Sequence, residues 1–192
     1  MISQQKRSAI MAKLSAGDCF PSFTFNTHLR DSLDSLSVLS GKTVFWVLRY
    51  IGCTVCRYDV HLIAKRYDEF KAKGAQVFVV MQSDRAHVQN DLSSTDTVLP
   101  FEIICDPDAA IYDLLSIEPA GSMEELVGNG RDALTEKGAK ARECGFSHGD
   151  YEGNEQQLPA LFIVGEDGTV EYAHYASNIV DMPSVNEVLN ML

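Results

Sequence analysis

The run Val44-Phe45-Trp46-Val47-Leu48 is apolar without alternation, the pattern of a strand covered on both faces. Just beyond it stand Cys53 and Cys56, separated by Thr54 and Val55. Downstream, Cys56, Val60, Ile63, Tyr67 and Phe70 are spaced as one buried stripe of a helix. A buried strand that turns directly into a helix, with a Cys-x-x-Cys pair at the turn, is the context of a redox site.

That placement assigns roles. A sulfur at the start of a helix lies among unpaired backbone N–H groups at the positive end of the dipole, which favours the thiolate. Thiolates at such sites titrate at roughly 3.5–7.5 instead of ~8.5. Cys56 belongs to the apolar stripe and Cys53 does not. The spacing therefore predicts Cys53 as the exposed attacker and Cys56 as the shielded partner that resolves a mixed disulfide. Two other readings stand beside this one. A zinc site wants four ligands, commonly a second close pair, and Cys19, Cys105 and Cys144 stand singly. The pair also fits inert core packing, because free cysteines are often buried.

The 192 residues suffice for one domain with a substantial core. A net charge of −11 argues against nucleic acid, whose phosphates need clustered Lys and Arg. No stretch has the ~18 apolar residues of a membrane span, and the N-terminus lacks the pattern of a secretory signal. Five cysteines without disulfide-scaffold density point to a reducing cytoplasm as the expected compartment.

Taken in order, residues 1–16 read as an amphipathic helical extension, and residues 17–192 as one domain. Phe23 and Phe25 alternate as in a half-exposed strand. The helix after Cys53 is expected to run on to Lys73-Gly74. Strands follow over 76–81 and 101–105, with Ser83 or Asp84 capping the helix between them and Asp106-Pro107-Asp108 opening the next. This alternation predicts crossover units and a largely parallel sheet. Residues 117–157 are polar and glycine-dotted and read as an insertion with short helices near 124–127 and 131–143. Leu158–Val164 and Thr169–Tyr175 form a hairpin around Glu166-Asp167-Gly168, and Ser184 caps a final helix.

The order of these pieces resembles the thioredoxin superfamily, and within it the peroxiredoxin-like AhpC/TSA, or redoxin, branch. The resemblance rests on Gly17-Asp18-x-x-Pro21-x-Phe23 and on Arg49-x-x-Gly52-Cys53-x-x-Cys56-Arg57. It continues through Asp106-Pro107-Asp108 with Tyr112, and through Pro159-x-x-Phe162-Ile163-Val164-x-x-x-Gly168. It implies an α/β thioredoxin-like fold: a central mixed β-sheet flanked by helices, with a helical insertion before the strand that opens at Pro159. It further implies a cis bond at Pro159 that turns the backbone of Leu158 toward the sulfurs, where it pairs with a polypeptide substrate. A proline at a strand entrance is tolerated without any such role.

True peroxiredoxins resemble Pro-x-x-x-Thr-x-x-Cys, which laid on this chain puts the reactive cysteine at Cys56, the threonine at Cys53 and the proline at Arg49. They also carry an arginine where Pro159 stands. These departures lean toward a dithiol exchanger. Arg49 or Arg57 is either a substitute thiolate-stabilising charge or a solvated residue flanking the turn. The expected activity is that of a thiol–disulfide oxidoreductase using Cys53 and Cys56, supported by Gly52, Thr54, Leu158 and Pro159. A thiol-dependent peroxidase and a non-catalytic binding module are the alternatives. No cofactor or metal is expected. Expected partners are protein or small-molecule disulfides or hydroperoxides and a dithiol electron donor, and the oligomeric state stays open, a homodimer included. Cys144 is a candidate resolving thiol, Cys19 and Cys105 read as structural, and no adjacent motif supports His87 or His148 as acid or base.

Overall fold

The structure, a computed structural model, describes residues 12–192. The helix expected over residues 1–16 lies largely outside the described residues; residues 12–15 have no regular structure. In chain order the elements are β1 (Thr24–Thr27), β2 (Leu33–Asp34), β3 (Lys42–Val47), α1 (Thr54–Lys65), α2 (Tyr67–Ala72), β4 (Ala75–Met81), α3 (Arg85–Ser94) and β5 (Glu102–Cys105). They continue with α4 (Ala110–Leu114), α5 (Met123–Val127), α6 (Arg131–Glu143), β6 (Ala160–Val164), β7 (Val170–Tyr175) and α7 (Val185–Met191).

The seven strands form one sheet in the order β2-β1-β5-β4-β3-β6-β7. Only the β3–β4 and β4–β5 pairings are parallel; the other four are antiparallel. The sheet is therefore mixed, as the resemblance implies, and not largely parallel as the alternation alone suggests. The apolar run of β3 splits by period two: Val44, Trp46 and Leu48 join the core on one face, Phe45 and Val47 the core on the other. The first core takes the buried faces of α1, α2 and α7, and the second takes Ile111 and Tyr112 of α4.

The apolar stripe after the pair is present, with Cys56, Val60, Ile63 and Phe70 all buried. The expected single helix breaks at Arg66, where φ is −117°, so α1 ends and α2 begins there. Asp84, not Ser83, caps α3 by accepting from the His87 N–H. Ser184 and Glu187 form a reciprocal cap at α7. β6 and β7 pair as the expected hairpin. The long connection between α4 and β6 is pinched at its base by an antiparallel bridge between Pro119 and Gln157.

Candidate active site

The turn from β3 into α1 is fixed by main-chain partners. Tyr112 Oη donates to the Leu48 carbonyl at 2.5 Å, and Gln82 N–H donates to that of Arg49 at 2.8 Å. Ile51 N–H donates to Ser83 Oγ at 2.8 Å, and Cys53 N–H to the Tyr50 carbonyl at 3.2 Å. Cys53 is thereby the residue at which α1 starts, with extended backbone at φ −73°, ψ 120°. Thr54 opens the helix and is half-buried.

Both cysteines are free, and both are 3% exposed. The expectation that Cys53 stands open to solvent is corrected. Cys53 is packed in the same apolar core as Cys56, Val60 and Ile63 although the spacing leaves it off their stripe, and a segment almost a hundred residues further on closes over the turn that carries it. Burial pushes the Cys56 thiol well up, and its bond to Cys53 reinforces that direction. Cys53 moves the other way, down to about 6. The hydrogen bond from Cys56 is the largest cause; it acts against burial and is helped by the Arg49 charge and the peptide N–H groups of Cys56 and Val55. The arrangement is that of a thiolate at Cys53 held by a thiol at Cys56.

The two arginines separate. Arg49 is 6% exposed; its Nη1 lies 3.8 Å from Cys53 Sγ and its guanidinium stands over the Tyr50 ring. Its Nε has no hydrogen-bond partner among the described residues. Arg57 faces elsewhere, donating to the carbonyls of Ile51 (2.9 Å) and Ser147 (2.8 Å) and pairing with Asp91. Arg49 is the charge at the sulfur, and Arg57 is a clamp on the segment that packs over the turn.

Residues 147–154 lie on the turn that carries Cys53. Gly149 N–H donates to the Gly52 carbonyl at 2.8 Å. A Cβ at Gly52 would fall 2.1 Å from the Asp150 carbonyl oxygen, so glycine is needed for the close approach. The Gln82 side chain pairs both ways with the Asn154 backbone, accepting its N–H at 2.9 Å and donating to its carbonyl at 3.3 Å. Ser83 Oγ donates to the half-buried Glu152 at 2.9 Å. His148 Nδ1 lies 2.8 Å from the Gly149 carbonyl, which only accepts, so Nδ1 carries the proton. In the neutral ring Nε2 then accepts from the Tyr50 hydroxyl at 3.2 Å. Gln82, Ser83, Gly149 and Glu152 escape sequence reasoning. The only hint is the pair Gly149 and Gly153 in a polar stretch.

Pro159 also requires correction. No peptide bond among the described residues is cis, so the bond from Leu158 to Pro159 is trans. Trans is the lower-energy isomer, and just ahead of β6 the missing N–H of proline leaves no ladder bond unmet. The Leu158 carbonyl accepts from the Gln157 side-chain amide at 3.2 Å, and the Pro159 carbonyl accepts from Ala176 N–H at 3.1 Å. Cys19 and Cys144 are exposed, and Cys105 is half-buried with its thiol pushed up by burial to about 12. His87 contacts Asp84 (2.9 Å) and Glu152 (3.4 Å), which raise its pKa. Among the described residues no three His, Cys, Asp or Glu side chains gather as a metal site.

A family model for the AhpC/TSA antioxidant enzymes matches residues 62–178, more than half of the chain. The chain belongs to that family. The match begins downstream of Cys53 and Cys56 and does not cover this pair or its turn. Peroxiredoxin-like 2C of Takifugu rubripes is 26% identical over 159 residues, covering 78% of this chain and 69% of that one. Among solved structures, a yeast mitochondrial 1-Cys peroxiredoxin superposes with a TM-score of 0.65 at 16% identity, over 92% of this chain and 73% of that one. A peroxiredoxin-like protein from Aquifex aeolicus gives 0.62 at 16% identity, over 94% and 87%. The fold is thus the thioredoxin-like fold of the peroxiredoxins, and family membership puts the chain's chemistry in the thiol-dependent redox class. Among the described residues no helix is long and apolar enough to cross a membrane.

Proposed function

We propose that the chain is a thiol-dependent peroxidase of the AhpC/TSA type in which Cys53 is the peroxidatic and Cys56 the resolving residue. The Cys53 thiolate attacks the outer oxygen of a hydroperoxide; the O–O bond breaks, Cys53 becomes a sulfenic acid and the alcohol or water leaves with a proton. Cys56 then attacks that sulfur, a Cys53–Cys56 disulfide forms and water leaves. An external dithiol reduces the disulfide and is itself oxidised.

The observation that carries this reading is the buried Arg49 guanidinium, whose Nη1 lies 3.8 Å from Cys53 Sγ. A donor of that kind suits the developing charge on a peroxide oxygen. The cover of residues 147–154 favours a small oxidant over a folded protein disulfide, and the trans Pro159 removes the argument for a polypeptide docked at Leu158. A second reading, disulfide exchange by the same pair, is favoured by the hydrogen bond that already joins the two thiols.

The deciding experiment compares Cys53→Ser with Cys56→Ser. In the peroxidase reading Cys56→Ser consumes one equivalent of hydroperoxide and accumulates a trappable sulfenic acid at Cys53, while Cys53→Ser does neither. Rapid peroxide consumption by Cys53→Ser overturns the assignment. Insulin reduction that needs both cysteines, without peroxide turnover, selects the second reading.

A further inference from the structure

Arg49 brings a positive charge to Cys53, but no carboxylate anchors it. Among the described residues every ion pair that involves an arginine belongs to Arg30, Arg57, Arg66 or Arg85. A paired carboxylate would fix the guanidinium and would also cancel much of its charge at the sulfur. The contact that takes its place is the Tyr50 ring, over whose face the guanidinium carbon lies 5.0 Å from the centroid. A planar guanidinium stacks on an aromatic face, and with both residues buried the attraction is little screened by water.

The ring is itself held from two sides. Tyr50 is fully buried and belongs to the core that packs on α1. Its hydroxyl donates to His148 Nε2 at 3.2 Å, and the rings of His148 and Tyr151 lie 6.0 and 6.4 Å from its own. Burial pushes the phenol up, so it stays protonated and offers Arg49 a neutral face instead of a competing anion. We propose that Tyr50 is a positioning residue whose ring holds Arg49 Nη1 at its 3.8 Å from Cys53 Sγ, so that Tyr50 acts on the sulfur only through Arg49. This role rests on Cys53 being the reacting thiolate, whichever oxidant it meets.

The test reads the midpoint of the Cys53 thiolate absorbance in reduced full-length protein, with the matching Cys53→Ser protein as blank. Tyr50→Leu is expected to move it upward from about 6 by roughly half a pH unit to one, to the value of Arg49→Met. Tyr50→Phe, which keeps the ring and loses the hydroxyl, is expected to stay at the wild-type value. In the double variant Arg49→Met/Tyr50→Leu the midpoint should match that of Arg49→Met alone, because a residue acting through Arg49 has nothing left to act on. A wild-type midpoint in folded Tyr50→Leu overturns the role, and so does a Tyr50→Phe midpoint as high as that of Tyr50→Leu. A double variant higher than Arg49→Met shows that Tyr50 reaches the sulfur through packing, which overturns it too. Should Tyr50→Leu fail to fold, Arg49→Lys decides. It keeps the charge without the planar face, is expected to titrate with Arg49→Met, and overturns the role if it titrates with wild type. These titrations contain no peroxide. A wild type that consumes no hydroperoxide while the midpoints move as expected therefore sinks the peroxidase reading and leaves Tyr50 in its role.

Discussion

Gly52 and Gly149 meet without side chains on either. The Gly149 N–H donates to the Gly52 carbonyl at 2.8 Å, and a Cβ built on Gly149 would lie 3.2 Å from the Gly52 Cα. This contact seats the 147–154 segment on the turn that carries Cys53. Gly52→Ala puts a methyl carbon onto the Asp150 carbonyl and must lift the segment. The expected result is a loss of about 1–3 kcal/mol of stability together with faster modification of Cys53 by a bulky maleimide. Urea unfolding and maleimide kinetics check it; unchanged maleimide rates would mean that the segment is not what shields the sulfur.

Cys56 is expected to act on Cys53 through its proton. Cys56→Ala removes the largest influence holding the Cys53 thiol down, so the midpoint of the thiolate absorbance should climb from about 6 toward the ordinary thiol range. Arg49→Met should raise it as well, by less, since the Arg49 charge is the smaller contribution. An unmoved midpoint in Cys56→Ala would assign the depression to the helix start instead.

Stability should follow the same proton. An unfolded cysteine titrates near ~8.5 and folded Cys53 at about 6, so between these values the unfolded chain holds more protons and stability rises with pH. The contribution is complete above ~8.5 and lost as pH falls through about 6. Cys56, shifted upward, acts only above that window. Urea unfolding of reduced protein should therefore show the gap between wild type and Cys53→Ser widening from pH ~6 to ~8.5. A constant gap would contradict a thiolate at Cys53.

The Asp59–Lys137 ion pair joins α1 to α6, with both side chains largely shielded from water. Lys137→Met leaves the Asp59 carboxylate without its partner and should cost about 3 kcal/mol. The double variant Asp59→Leu/Lys137→Met should recover most of that loss. Denaturation midpoints of the three variants test this, and a double variant no better than Lys137→Met would show that packing, not charge, makes the contact.

What the sequence discloses is local. The period-two split of β3, the placement of Cys56 on the stripe with Val60 and Ile63, and the Ser184 cap all follow from neighbours within a few positions, where spacing and burial go together. Cys53 defeats that logic because it joins the core from the turn ahead of the helix, outside the helical period, and because a polar segment far along the chain, held by backbone groups and glycines, packs on that turn. Arg49 shows the opposite limit. Its type suits both solvent and a buried sulfur, and only the fold, which lays the guanidinium over Tyr50 and beside Cys53, decides between them. The strand directions fail for a further reason: β6 reads as a buried strand whichever way it runs, and its antiparallel pairing with β3 is set by the path of the preceding connection.

Because Pro119 and Gln157 face each other across a bridge, residues 120–156 leave the sheet and return to it at neighbouring points, while α6 and the 147–154 segment pack back against α1 and the turn before it. Changes of length within the loops of that excursion need not redirect the sheet, whereas changes in the 147–154 segment alter what lies on the turn that carries the sulfurs. Chains built on this plan are thus free to vary their gatekeeping and their architecture separately.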